Sequence, residues 1–187
     1  NLINGKLLYN SNSVLKTNGI LLNGKNTNVV LGTSSNITAS SGETGIVAVS
    51  LDGQYAGAAP YTPGIDGQNN GTINLGDSSA GLYGKNGARL ENTNIVTVGN
   101  SSIGMSSSDA GSLIKNSGTI TIGENSQGIY LENGTTVENS GTIQSTGAKA
   151  LGILVDNISS PITNLGTINL SGDKSVGIYT KGASAKT

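Results

Sequence analysis

The chain repeats a short sequence unit about every 24 residues, and this repeat constrains the fold more than any other feature. The unit reads Asn, a variable residue, Gly, Thr and Ile, and clear copies begin at Asn69, Asn116, Asn139 and Asn164. A degenerate copy begins at Asn92, so that successive copies are 23, 24, 23 and 25 residues apart. Internal repeats of this length are typical of solenoids, in which each repeat buries its apolar face against its neighbours.

Two further positions recur within each repeat. A glycine followed by an apolar residue stands at Gly81, Gly104, Gly128, Gly152 and Gly177. An apolar residue that precedes the next leading asparagine stands at Leu90, Ile114, Val137 and Ile162. Each repeat therefore holds three short apolar runs between Gly, Ser and Asn turns, and no stretch carries the helical apolar period.

These patterns predict an all-β chain. The run Thr72-Ile73-Asn74-Leu75 alternates in polarity, which is typical of a strand with one buried face. Three strands in each repeat predict a right-handed parallel β-helix with about seven or eight rungs of roughly 23–25 residues. A leucine-rich repeat has a similar period and also an asparagine column, but it needs an L-x-x-L-x-L-x-x-N pattern that this chain lacks.

Stacked rungs would place equivalent residues in columns along the solenoid axis. The predicted interior columns are Ile73, Val96, Ile120, Ile143 and Ile168; Leu82, Met105, Ile129, Ile153 and Ile178; and Leu90, Ile114, Val137 and Ile162. A structural ladder of hydrogen-bonded amides, at a corner with left-handed backbone, is predicted for Asn69, Asn92, Asn116, Asn139 and Asn164. The recurring glycines are predicted to form a second tight bend, where a Cβ atom would clash.

The repeat also defines the organisation of the chain. Residues 33–187 are predicted to be β-helix rungs, and residues 1–32 are predicted to be irregular first rungs or a cap. The segment 51–68 interrupts the repeat and is predicted to be a loop insertion. The last rung would end on an open strand edge at Thr187, so we expect the solenoid to continue in a longer protein.

Composition excludes several kinds of chemistry. The chain contains no His and no Cys, so zinc sites, thiol catalysis and Ser-His-Asp triads cannot be built within it. A net charge of −1 and a single arginine argue against nucleic-acid binding. The 11 acidic residues are spread thinly along the repeats. We therefore expect no catalysis, no metal and no cofactor.

Candidate ligand-binding residues lie first in the predicted loop. Tyr55 and Tyr61 could stack on a sugar ring, and Asp52 and Asp66 could accept hydrogen bonds from its hydroxyl groups. Insertions in solenoids are often placed on a binding face. The alternative is a surface loop that binds no ligand.

A second group of candidates is a stripe of tyrosines on alternate rungs. Tyr83, Tyr130 and Tyr179 each follow a predicted interior residue, so they should point outward and lie roughly 10 Å apart. That spacing could match sugars along a chain. The alternative is a solvent-facing stripe selected for strand propensity.

The repeat unit from Asn116 to Tyr130, N-S-G-T-I-T-I-G-E-N-S-Q-G-I-Y, resembles the passenger repeats of the large autotransporter adhesins of fusobacteria. The resemblance covers roughly residues 33–187. It implies export by the type V route and a position on the bacterial cell surface, anchored to the outer membrane through a C-terminal barrel domain absent from this chain. It also implies attachment to host cells or to other bacteria, and it offers no short catalytic motif.

Three functional hypotheses follow from these observations. The first is a monomeric adhesin segment that binds a glycan or protein receptor on a cell surface, without contacting nucleic acid or membrane itself. The second is a structural stalk that presents a distant binding domain. The third is a fragment of a glycan-active enzyme.

Overall fold

The computed structural model describes residues 2–15, 19–40, 42–57, 63–134, 136–157 and 162–182, without the side chains of 12–15. In these ranges the regular secondary structure is entirely β-strand, and every strand lies parallel to the strands with which it pairs. Within the described ranges, no helix has the length and hydrophobicity that crossing a membrane requires.

The strands of the described residues form three sheets, which we name A, B and C. Sheet A contains, in order, β1 (Leu2–Ile3), β4 (Gly19–Lys25), β7 (Ile46–Asp52), β10 (Ala80–Lys85), β13 (Ile103–Ser108), β16 (Gln127–Glu132), β19 (Leu151–Asp156) and β22 (Val176–Lys181). Sheet B contains β2 (Lys6–Tyr9), β5 (Asn28–Leu31), β8 (Gly67–Asn69), β11 (Arg89–Asn92), β14 (Leu113–Asn116), β17 (Thr136–Asn139) and β20 (Ile162–Asn164). Sheet C contains β3 (Asn12–Leu15), β6 (Asn36–Ala39), β9 (Thr72–Asn74), β12 (Ile95–Thr97), β15 (Thr119–Thr121), β18 (Thr142–Ser145) and β21 (Thr167–Leu170).

The chain visits the three sheets in the order A, B, C and then begins the next turn. The result is a parallel β-helix of about seven turns with a spacing of about 24 residues, which confirms the predicted fold class and rung number. The described residues between 2 and 32 contribute to the same three sheets, because β4 pairs with β7, β5 with β8 and β3 with β6. Val29 and Leu31 of this segment are buried in the common core.

The interior is built from columns of apolar side chains. The strand registers place the three predicted columns as expected: Ile73 faces Val96 in sheet C, Leu82 faces Met105 in sheet A, and Leu90 faces Ile114 in sheet B. The members of these columns are fully buried in the middle rungs. Because one rung covers only part of its own apolar surface, each rung depends on its neighbours for burial.

The asparagine ladder runs along the ends of the sheet B strands. Each Nδ2 donates a hydrogen bond to the Oδ1 of the next asparagine, at 2.8 Å between Asn69 and Asn92 and at 2.7 Å between Asn139 and Asn164. The expectation of left-handed backbone at these asparagines is wrong, because positive φ angles occur instead at the turns on either side of sheet A. Those non-glycine positions include Ser78, Ser101, Asn125, Lys149 and Lys174 before the sheet and Asn86, Asp109, Asn133 and Asn157 after it.

The recurring glycines lie inside the strands of sheet A, so the prediction of a bend at these positions is wrong. These positions nevertheless require a residue without a Cβ atom. A Cβ atom on Gly128 would lie 2.6 Å from the carbonyl oxygen of Gly152 and 2.6 Å from Cγ2 of Ile143. The glycines therefore allow sheets A and C to approach each other closely.

Gly128→Ala is expected to lower the free energy of unfolding by about 1–3 kcal/mol, because the new methyl group meets backbone that cannot move aside. Gly177→Ala is the matched control in the same column, since the nearest atom to its added Cβ is Cγ2 of Ile168 at 3.9 Å. Urea denaturation followed by circular dichroism measures both variants. Equal stability of the two variants would contradict the packing argument.

Candidate binding surface on sheet A

The outer face of sheet A carries three parallel columns of side chains. The aliphatic column consists of Ile20, Val47, Ala80, Ile103, Leu151 and Val176, and is interrupted by the polar Gln127 between Ile103 and Leu151. The tyrosine column consists of Asn23, Ser50, Tyr83, Ser106, Tyr130, Leu154 and Tyr179. The charged column has two runs. The first, near the N-terminal rungs, contains Lys25, Asp52 and Lys85. The second, in later rungs, begins at the uncharged Ser108 and contains Glu132, Asp156 and Lys181.

The tyrosines occupy alternate strands of this face, as their sequence spacing predicts. Tyr83 is 38% exposed and Tyr179 is 48% exposed, whereas Tyr130 is partly buried. Burial, together with the nearby carboxylate of Glu132, raises the pKa of the Tyr130 hydroxyl. Two strand steps separate neighbouring tyrosines by roughly 9.6 Å. The column is thus a series of aromatic surfaces with small side chains such as Ser106 between two of them.

The other two sheets present a different outer surface. Sheet C shows mainly Thr, Asn and Gln, as at Thr119, Thr142 and Gln144. Sheet B shows polar and charged side chains, including a half-exposed ion pair of 3.0 Å between Lys115 and Glu138. Exposed pairs of this kind contribute only about 0–1 kcal/mol. Tyrosines form a column on the outer face of sheet A and not on these two faces, within the part of the chain that the structure describes.

Sheet A also forms a groove at its N-terminal end. This N-terminal groove has a volume of about 410 Å³, and its walls include Ile3, Ile20, Asn23, Lys25, Asp52 and Tyr83. Asp52 and Tyr83 were predicted from separate sequence features, and the structure brings them together in this groove. The volume lies within the range of pockets that hold small ligands.

Asp52 is held as a carboxylate within the groove. Asn86 donates a hydrogen bond of 2.6 Å from its Nδ2 to Oδ1, and Nζ of Lys85 lies 3.2 Å from Oδ2. The hydrogen bond from Asn86, followed by the positive charges of Lys85 and Lys25, lowers the pKa of Asp52 below its ordinary value. The ammonium group of Lys25 is exposed, and it makes no ion pair with any of the residues that the structure describes.

The remaining loop candidates form a second group. Asp66 is completely buried, and both of its oxygens are occupied: Oδ1 accepts from Nη2 of Arg89 at 2.7 Å and from the amide of Tyr55 at 2.8 Å, and Oδ2 accepts from Nε of Arg89 at 2.9 Å. The hydrogen bonds that the guanidinium group donates to Asp66, together with the negative charge of Asp66, raise the pKa of Arg89. A sugar hydroxyl would have to displace these partners to reach Asp66. Tyr61 lies outside the described residues.

Tyr55 lies on the connection between β7 and β8, half-buried, with Nζ of Lys6 at 5.7 Å from the centre of its ring. That connection is shorter than the predicted loop insertion 51–68. Leu51 and Asp52 end β7, and Gly67 begins β8. The hydrogen bonds of Asp66 with Tyr55 and Arg89 hold the two described ends of this connection together on the solenoid, while Asp52 belongs to the face of sheet A.

Sequence reasoning missed Lys25 and the aliphatic column. The position of Lys25 depends on assigning residues 1–32 to the rungs, and a signal for that assignment is the tripeptide Gly24-Lys25-Asn26, which recurs as Gly84-Lys85-Asn86. The register indeed places Lys25 and Lys85 on either side of Asp52.

The described residues contain no group of three or more acidic side chains close enough to hold a metal ion. Comparisons of the chain with protein-family models, with curated proteins and with solved structures each found no significant match.

Proposed function

We propose that this chain is a segment of a bacterial surface adhesin, exported by the type V route, that binds glycan or protein receptors on host cells or other bacteria without catalysis. The observation that carries the proposal is the column of tyrosines on the outer face of sheet A. Solvent-facing aromatic rings provide large apolar contact areas with a polar tip, which suits them to recognition. The similarity of the repeat to fusobacterial passengers supports the cellular setting.

A β-helix suits this function because it presents the same face along its whole length. Tyr83, Tyr130 and Tyr179 are placed on a rigid surface at regular intervals, so an extended receptor can contact several of them at once. Linked weak contacts raise the overall affinity far above that of one contact. Charged residues beside the tyrosines add polar partners at the edge of this surface.

A structural stalk is the second candidate function. It is favoured by the ladder of asparagine amides from Asn69 to Asn164, which joins five successive rungs through buried or partly buried hydrogen bonds. A stalk needs rigidity and no receptor. The two functions therefore differ in whether the folded segment binds cells by itself.

Replacing Tyr83, Tyr130 and Tyr179 together by serine is expected to reduce binding of the labelled segment to epithelial or bacterial cells by tenfold or more. Serine fits this column, because Ser50 and Ser106 already occupy it. The loss of aromatic contact, at about 0.5–1.5 kcal/mol for each ring, accounts for the size of the effect. Binding is measured by flow cytometry, with free sugars as competitors.

The control variant is Leu165→Ser, which removes an apolar side chain that is 84% exposed and lies between sheets B and C. It is expected to bind cells as the unmodified segment does. If the folded, unmodified segment binds no cells, the stalk hypothesis replaces the adhesin hypothesis. If the triple serine variant binds normally, the outer face of sheet A is not the adhesive surface.

A further inference from the structure

The N-terminal groove carries an excess of positive charge. In the strand register, Lys25 and Lys85 lie directly on either side of Asp52, so two lysines flank one carboxylate. Neighbouring parallel strands lie about 4.8 Å apart, which keeps all three groups at one edge of the groove. The net charge of this run is +1.

The carboxylate of Asp52 is already engaged by other partners. Asn86 hydrogen-bonds its Oδ1, and the ammonium group of Lys85 lies 3.2 Å from its Oδ2. The positive charge of Lys25 contributes to the lowered pKa of Asp52, but Lys25 forms no ion pair with it. A second anion could therefore pair with Lys25 without breaking any contact that the described residues make.

The rest of the groove combines apolar and polar side chains. Tyr83 is 38% exposed, and Ile20, which is 52% exposed, provides apolar surface nearby. Asn23 and Ser50 add an amide and a hydroxyl group to the lining. Apolar surface with a few polar groups that fix orientation is the usual composition of a small-ligand site.

We propose that the N-terminal groove binds an acidic sugar, a saccharide residue that bears a carboxylate, with the carboxylate against Lys25 and the sugar ring against Tyr83. The inference rests on the proposed function, since it names the class of receptor for one part of the same face. A volume of about 410 Å³ is suited to one or two sugar residues.

The opposite end of sheet A provides an internal comparison. There the charged column contains Glu132, Asp156 and Lys181, and Nζ of Lys181 lies 2.8 Å from Oδ2 of Asp156. This run has a net charge of −1, although Tyr179 lies beside it as Tyr83 lies beside the N-terminal run. An acidic sugar is repelled at this end and attracted at the other.

Isothermal titration calorimetry of the segment tests the proposal with two pairs of probes. Sialyllactose is compared with lactose, and an oligosaccharide of hyaluronan, which contains glucuronic acid, is compared with a neutral chitin oligosaccharide. We expect at least one acidic probe to bind about tenfold more tightly than its neutral counterpart. We also expect this preference to disappear at 1 M salt, where charges are screened within about 3 Å. The two pairs distinguish a sialic acid from a uronic acid as the source of the carboxylate.

Variants assign the preference to the groove. Lys25→Gln is expected to remove the preference for the acidic probe, and Tyr83→Ser is expected to weaken binding of the acidic probe and of its neutral counterpart. Lys115→Gln is the matched control, since it removes an ion-paired lysine on sheet B, away from the outer face of sheet A, and the affinity should not change. Circular dichroism checks that each variant is folded.

Equal affinity for acidic and neutral probes, or an unchanged preference in Lys25→Gln, would overturn the proposal. Its failure is distinguishable from failure of the adhesin hypothesis. Tyrosine-dependent binding to cells without any preference for acidic probes rejects only the acidic-sugar site. Binding of the acidic probe by a segment that attaches to no cells rejects only the adhesin hypothesis.

Discussion

Arg89→Met is expected to destabilise the protein by about 3–5 kcal/mol, because it leaves the buried carboxylate of Asp66 without its charged partner. Asp66 is completely buried and receives two hydrogen bonds from the guanidinium group of Arg89, at 2.7 and 2.9 Å. The backbone amides of Tyr55 and Arg89 donate to the same carboxylate. Two amides alone do not compensate a buried negative charge.

Urea denaturation measures this loss of stability, and two further variants show whether it comes from the unpaired carboxylate of Asp66. Lys115→Met removes the lysine of an exposed ion pair on the same sheet and should cost no more than about 1 kcal/mol. The double variant Asp66→Leu with Arg89→Met should be more stable than Arg89→Met alone, since no charge remains buried. An Arg89→Met protein as stable as Lys115→Met would show that Asp66 is not held as the structure indicates.

Ile120→Ala is expected to cost about 2–5 kcal/mol, the range found when a large aliphatic side chain is removed from a core that cannot collapse. Ile120 is fully buried in the middle of its column, between Val96 and Ile143 on the neighbouring strands. Its Cγ2 atom also fills the space left by the missing side chain of Gly104. A cavity at this position therefore weakens the contact between sheets A and C.

Ile95→Ala is the control for this prediction, because Ile95 lies next to Val96 on the preceding rung but is 40% exposed. Its effect should stay below about 1 kcal/mol, as is usual for substitutions away from the core. Urea denaturation measures the free energy of unfolding of both variants. The comparison requires that the slope of this free energy against urea concentration is the same in both. A similar loss in both would mean that the interior column does not carry the stability of the rungs.

The fold was predictable because its main determinant is periodic. Ile73, Val96 and Ile120 recur 23 and 24 residues apart, and a stack of parallel rungs brings such residues into one column. The recurrence of the glycines was visible in the sequence for the same reason, but the physical reason for glycine at these positions was not. Whether Gly128 sits in a bend or against another sheet depends on the distance between backbones, which residue spacing does not specify.

The candidate site was only partly predictable. Asp52 and Tyr83 were recognised separately, as a loop residue and as a stripe residue. Their meeting depends on the register between β7 and β10, which pairs Ser50 with Tyr83 across a connection of unusual length. The pairing of Asp66 with Arg89 has the same origin, since a contact between rungs leaves no local sequence signal.

Hydroxyl-radical footprinting of the free and cell-bound segment shows whether the segment binds a receptor through the outer face of sheet A, as we propose. Oxidation is read by mass spectrometry at Tyr83, Tyr130 and Tyr179 and, away from that face, at Ile95 and Leu165, which are also exposed. We expect protection of the tyrosines on binding and unchanged oxidation of Ile95 and Leu165. Protection of Ile95 and Leu165 with unchanged tyrosines would contradict it.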